Sequence, residues 1–194
     1  MKIAIVKYNA GNTASVANAL QRLGAESIVT DDPETLASVD KVIFPGVGEA
    51  STAMAHLRDR RLDQVIRSLA QPLLGVCLGM QLLCASSEEN DTQCLGLLPY
   101  GVKRFAGNNL KVPHMGWNSI SDLRGPLFEG VDEDSFVYFV HGYYVETGEH
   151  STAACEYGTK FSAAVAFRNF HAVQFHTEKS GAVGERILEN FLKL

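Results

Sequence analysis

Short apolar runs alternate with helical patterns through the first half of this 194-residue chain. The apolar runs cover residues 2–8, 27–30, 41–44 and 72–76, and a polar helical stretch fills residues 49–70. Parallel strands cannot be joined by a tight turn, and a helix is the usual crossover between them. The alternation therefore predicts an α/β fold whose mostly parallel sheet is flanked by helices on both faces.

The second half has a different pattern, in which strand-like segments follow one another directly. They cover residues 101–105, 117–120, 136–146, 152–157, 163–167 and 170–176, and an amphipathic helix is expected over 182–194. Arg168-Asn169 between the last two segments is suited to a tight hairpin turn. We expect an antiparallel β extension of the same sheet. Because no repeat, linker or low-complexity tract divides the chain, residues 1–194 are predicted to form a single domain.

Charge and cysteine usage exclude several function classes. A net charge of −5 provides no basic surface for nucleic acid or for an anionic membrane. The first apolar run is too short for a signal-peptide core or a membrane span, so a cytoplasmic protein is expected. The four cysteines show neither CxxC spacing nor a neighbouring histidine cluster, so we predict no disulfide, no metal site and no cofactor.

One of these cysteines lies where a strand is expected to run directly into a helix. Gly75 and Gly79 flank Cys77 symmetrically, which is the cysteine version of the nucleophile elbow. The positive end of a helix favours the thiolate, and the N–H of Leu78 would lie where an oxyanion forms. The alternative is a buried cysteine that packs as a small apolar side chain.

A nucleophilic cysteine needs an imidazole within reach and a third group that orients the ring. His176 ends the last predicted strand, at the sheet edge where α/β folds place their sites. If the backbone stays extended, Glu178 shares a face with His176 and can hold the ring. The alternative is an ordinary surface pair of His and Glu.

Five stretches of the chain match a known family. Residues 75–81 (GVCLGMQ) and 174–180 (QFHTEKS) together resemble the class I, triad-type glutamine amidotransferases. Residues 8–12 (YNAGN), 113–118 (PHMGWN) and 138–144 (YFVHGYY) resemble the branch that supplies glutaminase subunits to imidazole glycerol phosphate synthase. The resemblance implies a flavodoxin-like sheet with an antiparallel extension, in agreement with the pattern above.

The resemblance also implies the chemistry. Cys77 would attack the side-chain amide of glutamine and form a thioester, His176 would move the protons, and Glu178 would orient His176. The products would be glutamate and ammonia. The backbone of Leu78, Val47 and Gly48 would form the oxyanion hole, and Gln81, His141, Gly142 and Tyr143 would line the glutamine pocket.

A protein partner is implied in the same way. Ammonia would pass to a (β/α)₈-barrel cyclase subunit in a heterodimer, which makes imidazole glycerol phosphate and aminoimidazole carboxamide ribonucleotide in histidine biosynthesis. The residues implied at that interface are Asn12, Met115, Trp117, Tyr138 and Lys179. From the sequence alone, core packing is the more ordinary interpretation of Trp117 and Tyr138.

Two positions depart from the family pattern. Thr177 stands where a proline is usual between the catalytic His and Glu, which puts the rigidity of that pair in question. Gly142 stands where a serine is commoner, which puts any hydroxyl contact to glutamine in question. Alternatives to the implied function are a glutaminase for an aminodeoxychorismate or anthranilate synthase, a stand-alone cysteine hydrolase, and a non-catalytic interaction subunit.

Overall fold

A computed structural model describes residues 1–107 and 110–194 of the protein. It confirms the predicted α/β fold. The strands are β1 (Ile3–Val6), β2 (Ser27–Thr30), β3 (Lys41–Gly46), β4 (Leu73–Cys77), β5 (Ser86–Ser87), β6 (Thr92–Gln93), β7 (Gly101–Arg104), β8 (His114–Ile120), β9 (Ser135–His141), β10 (Tyr143–Val145), β11 (Ser151–Glu156), β12 (Lys160–Phe167) and β13 (Phe170–Val173). The helices are α1 (Thr13–Arg22), α2 (Pro33–Ser38), α3 (Ala50–Asp59), α4 (Leu62–Ser68), α5 (Leu78–Leu83) and α6 (Gly181–Lys193).

The central sheet has seven strands in the order β11-β12-β13-β4-β3-β1-β2. The five strands from β13 to β2 are parallel, and β12 and β11 extend the sheet in antiparallel fashion. The hairpin turn at Arg168-Asn169 is confirmed, because Phe167 pairs with Phe170 across it. A four-stranded sheet in the order β10-β7-β5-β6 and a separate ribbon of β8 and β9 complete the β structure.

Apolar side chains cover both faces of the central sheet. Alternate residues of β1 point to opposite sides, so that Ala4 and Val6 belong to one core and Ile3 and Ile5 to the other. Helices α3, α4 and α5 contribute to the first core, whereas α1, α6 and the β8–β9 ribbon contribute to the second. In residues 1–107 and 110–194, no helix is long and apolar enough to cross a bilayer.

Several predicted elements were wrong in extent. Strands β8 and β12 each begin three residues earlier than predicted. The helical stretch 49–70 is divided into α3 and α4, because Arg61 takes a left-handed conformation with φ 56°. The strand predicted over 136–146 is interrupted at Gly142, and its halves β9 and β10 belong to different sheets. The last strand ends at Val173, and residues Thr177–Lys179 form a 3-10 turn instead of extended backbone.

Candidate active site

The C-terminal ends of the parallel strands β3, β4 and β13 meet at one edge of the central sheet. In the register between β3 and β4, Gly46 lies beside Cys77. On the other side of β4, Val76 lies beside Val173, the last residue of β13. The segments that follow Gly46 and Val173 therefore begin on either side of Cys77, which is where α/β sheets commonly bind ligands.

Cys77 has the backbone conformation of a nucleophile elbow. Its φ is 54° and its ψ is −110°, a combination that is strained for a residue with a side chain. A Cβ at Gly79 would collide with the carbonyl oxygen of Phe44, and one at Gly75 would lie 3.1 Å from three heavy atoms. Gly79 is thus required for the close packing of α5 against the sheet, and Gly75 leaves little room for a side chain beside Ala172 and Leu83.

His176 and Glu178 form a buried pair despite the 3-10 turn between them. His176 Nδ1 lies 2.8 Å from Glu178 Oε1, and both side chains are almost fully buried. Burial alone would lower the pKa of His176, but the neighbouring Cys77 and Glu178 side chains outweigh it and raise the pKa to about 10. Burial acts to raise the pKa of Glu178, yet the contacts with His176 and Asn12 hold it below its ordinary value. His176 Nε2 is buried and has no hydrogen-bond partner among the described residues.

The pair is fixed by contacts to neighbouring segments. Asn12, which was expected only at a partner interface, donates its Nδ2 hydrogen to Glu178 Oε1 at 3.0 Å. The backbone N–H of His176 donates to the carbonyl of Tyr138 at 2.9 Å. Ser180 Oγ accepts from the Tyr138 N–H at 3.0 Å and donates to the His176 carbonyl at 2.6 Å. The hydrogen bond between His176 and Glu178 is formed with Thr177 in place of the usual proline.

A cavity of about 420 Å³ opens beside Cys77. Cys77, Glu89 and Val140 line it. So do all the residues predicted for the oxyanion hole and the glutamine pocket: Val47, Gly48, Leu78, Gln81, His141, Gly142 and Tyr143. Glu89 was missed in the sequence because it lies in a polar turn among other acidic residues. It is the one acidic side chain among the lining residues, and burial raises its pKa.

At Gly142 an added Cβ would lie 3.7 Å from Val112 Cγ1, so the backbone does not require a glycine there.

Two glutamine side chains connect the cavity wall to the cysteine. Gln81 Nε2 donates to the Tyr143 carbonyl at 2.9 Å and to Gln174 Oε1 at 3.0 Å. Gln174 Nε2 in turn lies 3.7 Å from Cys77 Sγ, and the thiol is also 3.7 Å from the Val140 carbonyl. The Gln81 amide therefore fixes the cavity wall at Tyr143, and the Gln174 amide contacts the sulfur of Cys77.

Tyr8 fixes the loop that follows β3. Its hydroxyl donates to the Pro45 carbonyl at 2.7 Å, and its ring packs on Phe44 with centroids 5.3 Å apart. Burial, and next the nearby Cys77, raise the pKa of Tyr8, so the hydroxyl keeps its proton. Pro45 lies two residues before Val47, so this hydrogen bond fixes the start of the loop that runs past Cys77.

For the glutamine hydrolysis that the family resemblance implies, Tyr8→Phe is expected to lower kcat by about tenfold with little change in KM, because a buried carbonyl loses its donor beside Cys77. Steady-state kinetics measure this. Tyr100→Phe is the matched control, since the Tyr100 hydroxyl accepts from the His150 N–H at 3.0 Å and is not part of the cavity lining. An unchanged kcat in Tyr8→Phe would contradict this role for Tyr8.

The residues expected at a partner interface lie near the same edge. Met115 and Trp117 on β8 are 62% and 55% exposed, and Phe136 on β9 is 59% exposed on the same face of the ribbon. Trp117 packs edge-on against Tyr138 at 6.0 Å, and Lys179 Nζ lies 5.8 Å from the centre of the Tyr138 ring. The alternative of core packing is therefore wrong for Trp117. In the described part of the chain, no group of three or more His, Cys, Asp or Glu side chains is arranged to hold a metal ion.

Comparison with known proteins decides the family. The model of the class-I glutamine amidotransferases matches residues 4–194. The chain belongs to the class-I glutamine amidotransferase family. Proteins named imidazole glycerol phosphate synthase subunit HisH are 57% identical in Bacteroides fragilis and 55% identical in Bacteroides thetaiotaomicron, with both chains covered in full in each case. A HisH protein of Shewanella loihica is 47% identical over 98% of this chain and 89% of its own length. The resemblance to the imidazole glycerol phosphate synthase branch is thereby confirmed.

Solved structures support the fold of this amidotransferase. A glutamine amidotransferase crystal structure superposes with a TM-score of 0.75 at 23% identity, covering 98% of this chain and 97% of the other. The PurLQS structure from Thermotoga maritima gives a TM-score of 0.72 at 17% identity, covering 99% and 97%. At these identities the likeness concerns the fold alone.

Proposed function

We propose that this amidotransferase hydrolyses glutamine to glutamate and ammonia with Cys77 as nucleophile, His176 as general acid and base, and Glu178 as the residue that orients His176. One observation carries the proposal. A strained cysteine at the end of β4 lines a cavity of about 420 Å³ beside a buried His–Glu pair, and the second ring nitrogen of that histidine has no hydrogen-bond partner in the described part of the chain. A strained nucleophile, a base and an orienting carboxylate are the parts that thiol catalysis requires.

The proposed reaction begins with transfer of the Cys77 thiol proton to His176 Nε2. The sulfur then bonds to the amide carbon of glutamine, and the carbonyl electrons move to the oxygen. When this tetrahedral adduct collapses, the C–N bond breaks and His176 gives its proton to the leaving nitrogen, which departs as ammonia. Water then loses a proton to His176 and attacks the thioester, the C–S bond breaks, and the thiol regains its proton. Burial opposes protonation of His176, but the Cys77 and Glu178 side chains raise its pKa to about 10, so the ring holds the proton taken from the thiol until the leaving nitrogen accepts it.

The cavity supplies the other contacts that the substrate needs. The N–H of Leu78 follows the nucleophile at the start of α5, where helix N–H groups have no intrahelical partner. We assign the oxyanion to this N–H and to the backbone at Val47 and Gly48. The carboxylate of Glu89 suits the α-ammonium of glutamine, and the backbone of Gly142 and Tyr143 suits its α-carboxylate.

We further propose that residues 1–194 act as one amidotransferase domain and deliver ammonia to a cyclase subunit in a heterodimer. The full-length HisH relatives support this, because their names specify a subunit of imidazole glycerol phosphate synthase. The exposed apolar face of the β8–β9 ribbon supports it too, since exposed patches of this kind mark interfaces.

Glutamate release from glutamine tests the proposal, first with this chain alone and then with a barrel cyclase subunit and its nucleotide substrate. We expect strong stimulation in the mixture and formation of imidazole glycerol phosphate. High activity that is indifferent to the cyclase would keep the glutaminase chemistry and assign the chain to another synthase. No glutamate in either case would overturn the proposed function.

The interface assignment makes a separate prediction. Trp117→Ala is expected to weaken cyclase binding by about thirtyfold, because a large exposed aromatic at the centre of an interface commonly dominates its energy. Titration calorimetry measures the Kd. Ile28→Ala on the edge strand β2 is the control, since Ile28 is 50% exposed but lies on a different element. Equal affinities for the two variants would place the interface elsewhere.

A further inference from the structure

The inner face of the β8–β9 ribbon carries polar side chains in a place where apolar ones would be expected. Side chains alternate along each strand, so Met115 and Trp117 point outward while His114 and Asn118 point toward the core. His114 pairs in register with His141 at the end of β9. The His114 ring is packed between Phe139 and Tyr157, with centroids 4.8 and 4.0 Å away. Buried polar groups in such a setting require defined hydrogen-bond partners.

These side chains form a continuous hydrogen-bonded chain that ends at the cavity. Asn118 Nδ2 lies 3.3 Å from His114 Nε2, and His114 Nδ1 lies 3.0 Å from His141 Nε2. His141 Nδ1 lies 2.8 Å from the carbonyl of Tyr143. The same carbonyl accepts the Gln81 Nε2 hydrogen at 2.9 Å.

The donor and acceptor of every hydrogen bond in this series follow from the groups at its two ends. A carbonyl only accepts, so His141 Nδ1 carries a hydrogen, and a neutral His141 then accepts at Nε2. His114 must donate from Nδ1 to that nitrogen, which leaves His114 Nε2 as an acceptor for Asn118.

The other end gives the same direction independently. Asn118 Oδ1 accepts from the Ser119 N–H at 2.8 Å, and Asn118 Nδ2 donates to the Glu156 carbonyl at 3.0 Å. The amide is therefore oriented by two backbone groups, with its NH₂ toward His114. Burial lowers the pKa of His114 to about 4 and that of His141 to about 3, so both rings are neutral at neutral pH.

We infer that His114 and Asn118 are positioning residues for glutamine binding. Asn118 holds His114 as the neutral Nδ1–H tautomer, and His114 in turn holds His141 as the neutral Nδ1–H tautomer. His141 then fixes the Tyr143 carbonyl and with it the cavity wall at Gly142 and Tyr143. The inference rests on the proposed function for its kinetic consequence. In the alternative tautomer of His141, Nδ1 has no hydrogen and its lone pair would repel the Tyr143 carbonyl oxygen. The cavity wall at Tyr143, which His141 and Gln81 both hold, would then shift.

A matched pair of variants tests the role of the donor. His114→Leu introduces an apolar side chain of similar breadth and removes the hydrogen bond to His141. His114→Asn returns an N–H donor near the position of Nδ1. In the presence of the cyclase and its nucleotide substrate, His114→Leu should raise KM for glutamine about tenfold while kcat changes by less than about threefold, and His114→Asn should stay within about threefold of wild-type KM.

Thiol reactivity separates positioning from general damage. Alkylation of Cys77 by iodoacetamide, which needs no glutamine pocket, should be unchanged in His114→Leu. Alkylation by a chloroketone analogue of glutamine should reach half-saturation at about tenfold higher concentration, in step with KM. A wild-type KM in folded His114→Leu, or equal losses in the Leu and Asn variants, would overturn the positioning role.

The tautomers are measured directly on the wild-type chain by nitrogen-15 NMR of labelled histidine, which distinguishes ring nitrogens with and without a hydrogen. We expect Nδ1 protonated and Nε2 bare in both His114 and His141 at neutral pH. A charged ring, or an Nε2–H tautomer in either residue, would overturn the inference. Because this spectrum needs no turnover, a failure of the proposed glutaminase function would show as missing activity and leave the tautomer result standing.

Discussion

Replacing Cys77 with alanine is expected to lower glutamate release by at least about 10⁴-fold, because loss of the nucleophile removes the covalent route entirely. The fold should persist. Cys77 is the last residue of β4 and its small side chain contributes little apolar packing, while alanine still has to adopt the positive φ of 54°. Glutamate release and thermal unfolding, measured on the same preparation, test both parts.

The other cysteines provide matched controls. Cys84 is fully buried in the core and burial raises its pKa, and burial likewise raises the pKa of Cys94 to about 11. Cys84→Ala and Cys94→Ala should therefore cost stability through lost packing and leave kcat within about threefold of wild type. A folded Cys77→Ala protein that still releases glutamate at an appreciable rate would refute the assignment of the nucleophile.

The parallel part of the fold was predictable because its signals are local. Each strand of the parallel core is a short apolar run, and both ends of α6 were predicted to within about one residue, as is typical for a strongly amphipathic segment. Helix α2 was missed although Asp32 caps it by accepting from the Thr35 N–H at 2.8 Å and Pro33 begins it. With six residues and one buried side chain, Leu36, it has too short a pattern to show periodicity.

The errors occurred where tertiary contacts override the local pattern. Residues on both sides of Gly142 within 136–146 favour strand, yet β9 pairs with β8 whereas β10 pairs with β7. Only the three-dimensional arrangement requires a break at Gly142, where the Phe105 N–H donates to the Gly142 carbonyl at 3.1 Å. The only sequence signal at that junction is Gly142 itself, since an isolated glycine within a strand pattern often marks a bulge or a bend.

The residues proposed as reactive groups could be singled out in the sequence, whereas the residues that contact and support them could not. A glycine-flanked cysteine and a strand-end histidine are recognisable because thiol chemistry needs those residue types in those positions. The roles proposed for Tyr8, Glu89 and His114 rest on contacts to segments far away in the chain, which become visible only once the strands lie side by side. Asn12 shows the same limit, since its contact with Glu178 spans 166 positions.

Glu178→Gln is expected to lower kcat/KM for glutamine hydrolysis by about 10²- to 10⁴-fold, less than the loss of Cys77. The variant keeps the size of the side chain but removes the charge 2.8 Å from His176 Nδ1. That charge contributes to the raised pKa of His176, so the imidazolium formed during proton transfer loses part of its stabilisation. Steady-state kinetics over a range of pH measure the loss.

The stability of the same variant should depend on pH with a defined sign. The folded pKa of Glu178 lies below its ordinary value of 4.5, so the stabilisation of the pair is present above that pH and is lost as the pH falls through the folded pKa. The folded pKa of His176 is raised, so its contribution is complete below its ordinary value of 6.5 and is lost as the pH rises through about 10. The difference in unfolding free energy between wild type and Glu178→Gln should therefore be largest between pH 4.5 and pH 6.5. It should shrink as the pH falls below 4.5 and as it rises from 6.5 toward about 10.

Asn12→Ala is the matched control for Glu178→Gln, because it removes the 3.0 Å hydrogen bond to Glu178 Oε1 and leaves the carboxylate in place. We expect a loss in kcat/KM of about tenfold or less, since one neutral donor contributes less than the charge. If Glu178→Gln retained the wild-type kcat/KM, Glu178 would be a structural residue only. If Asn12→Ala matched the loss in Glu178→Gln, the geometry of the carboxylate, more than its charge, would control the orientation of His176.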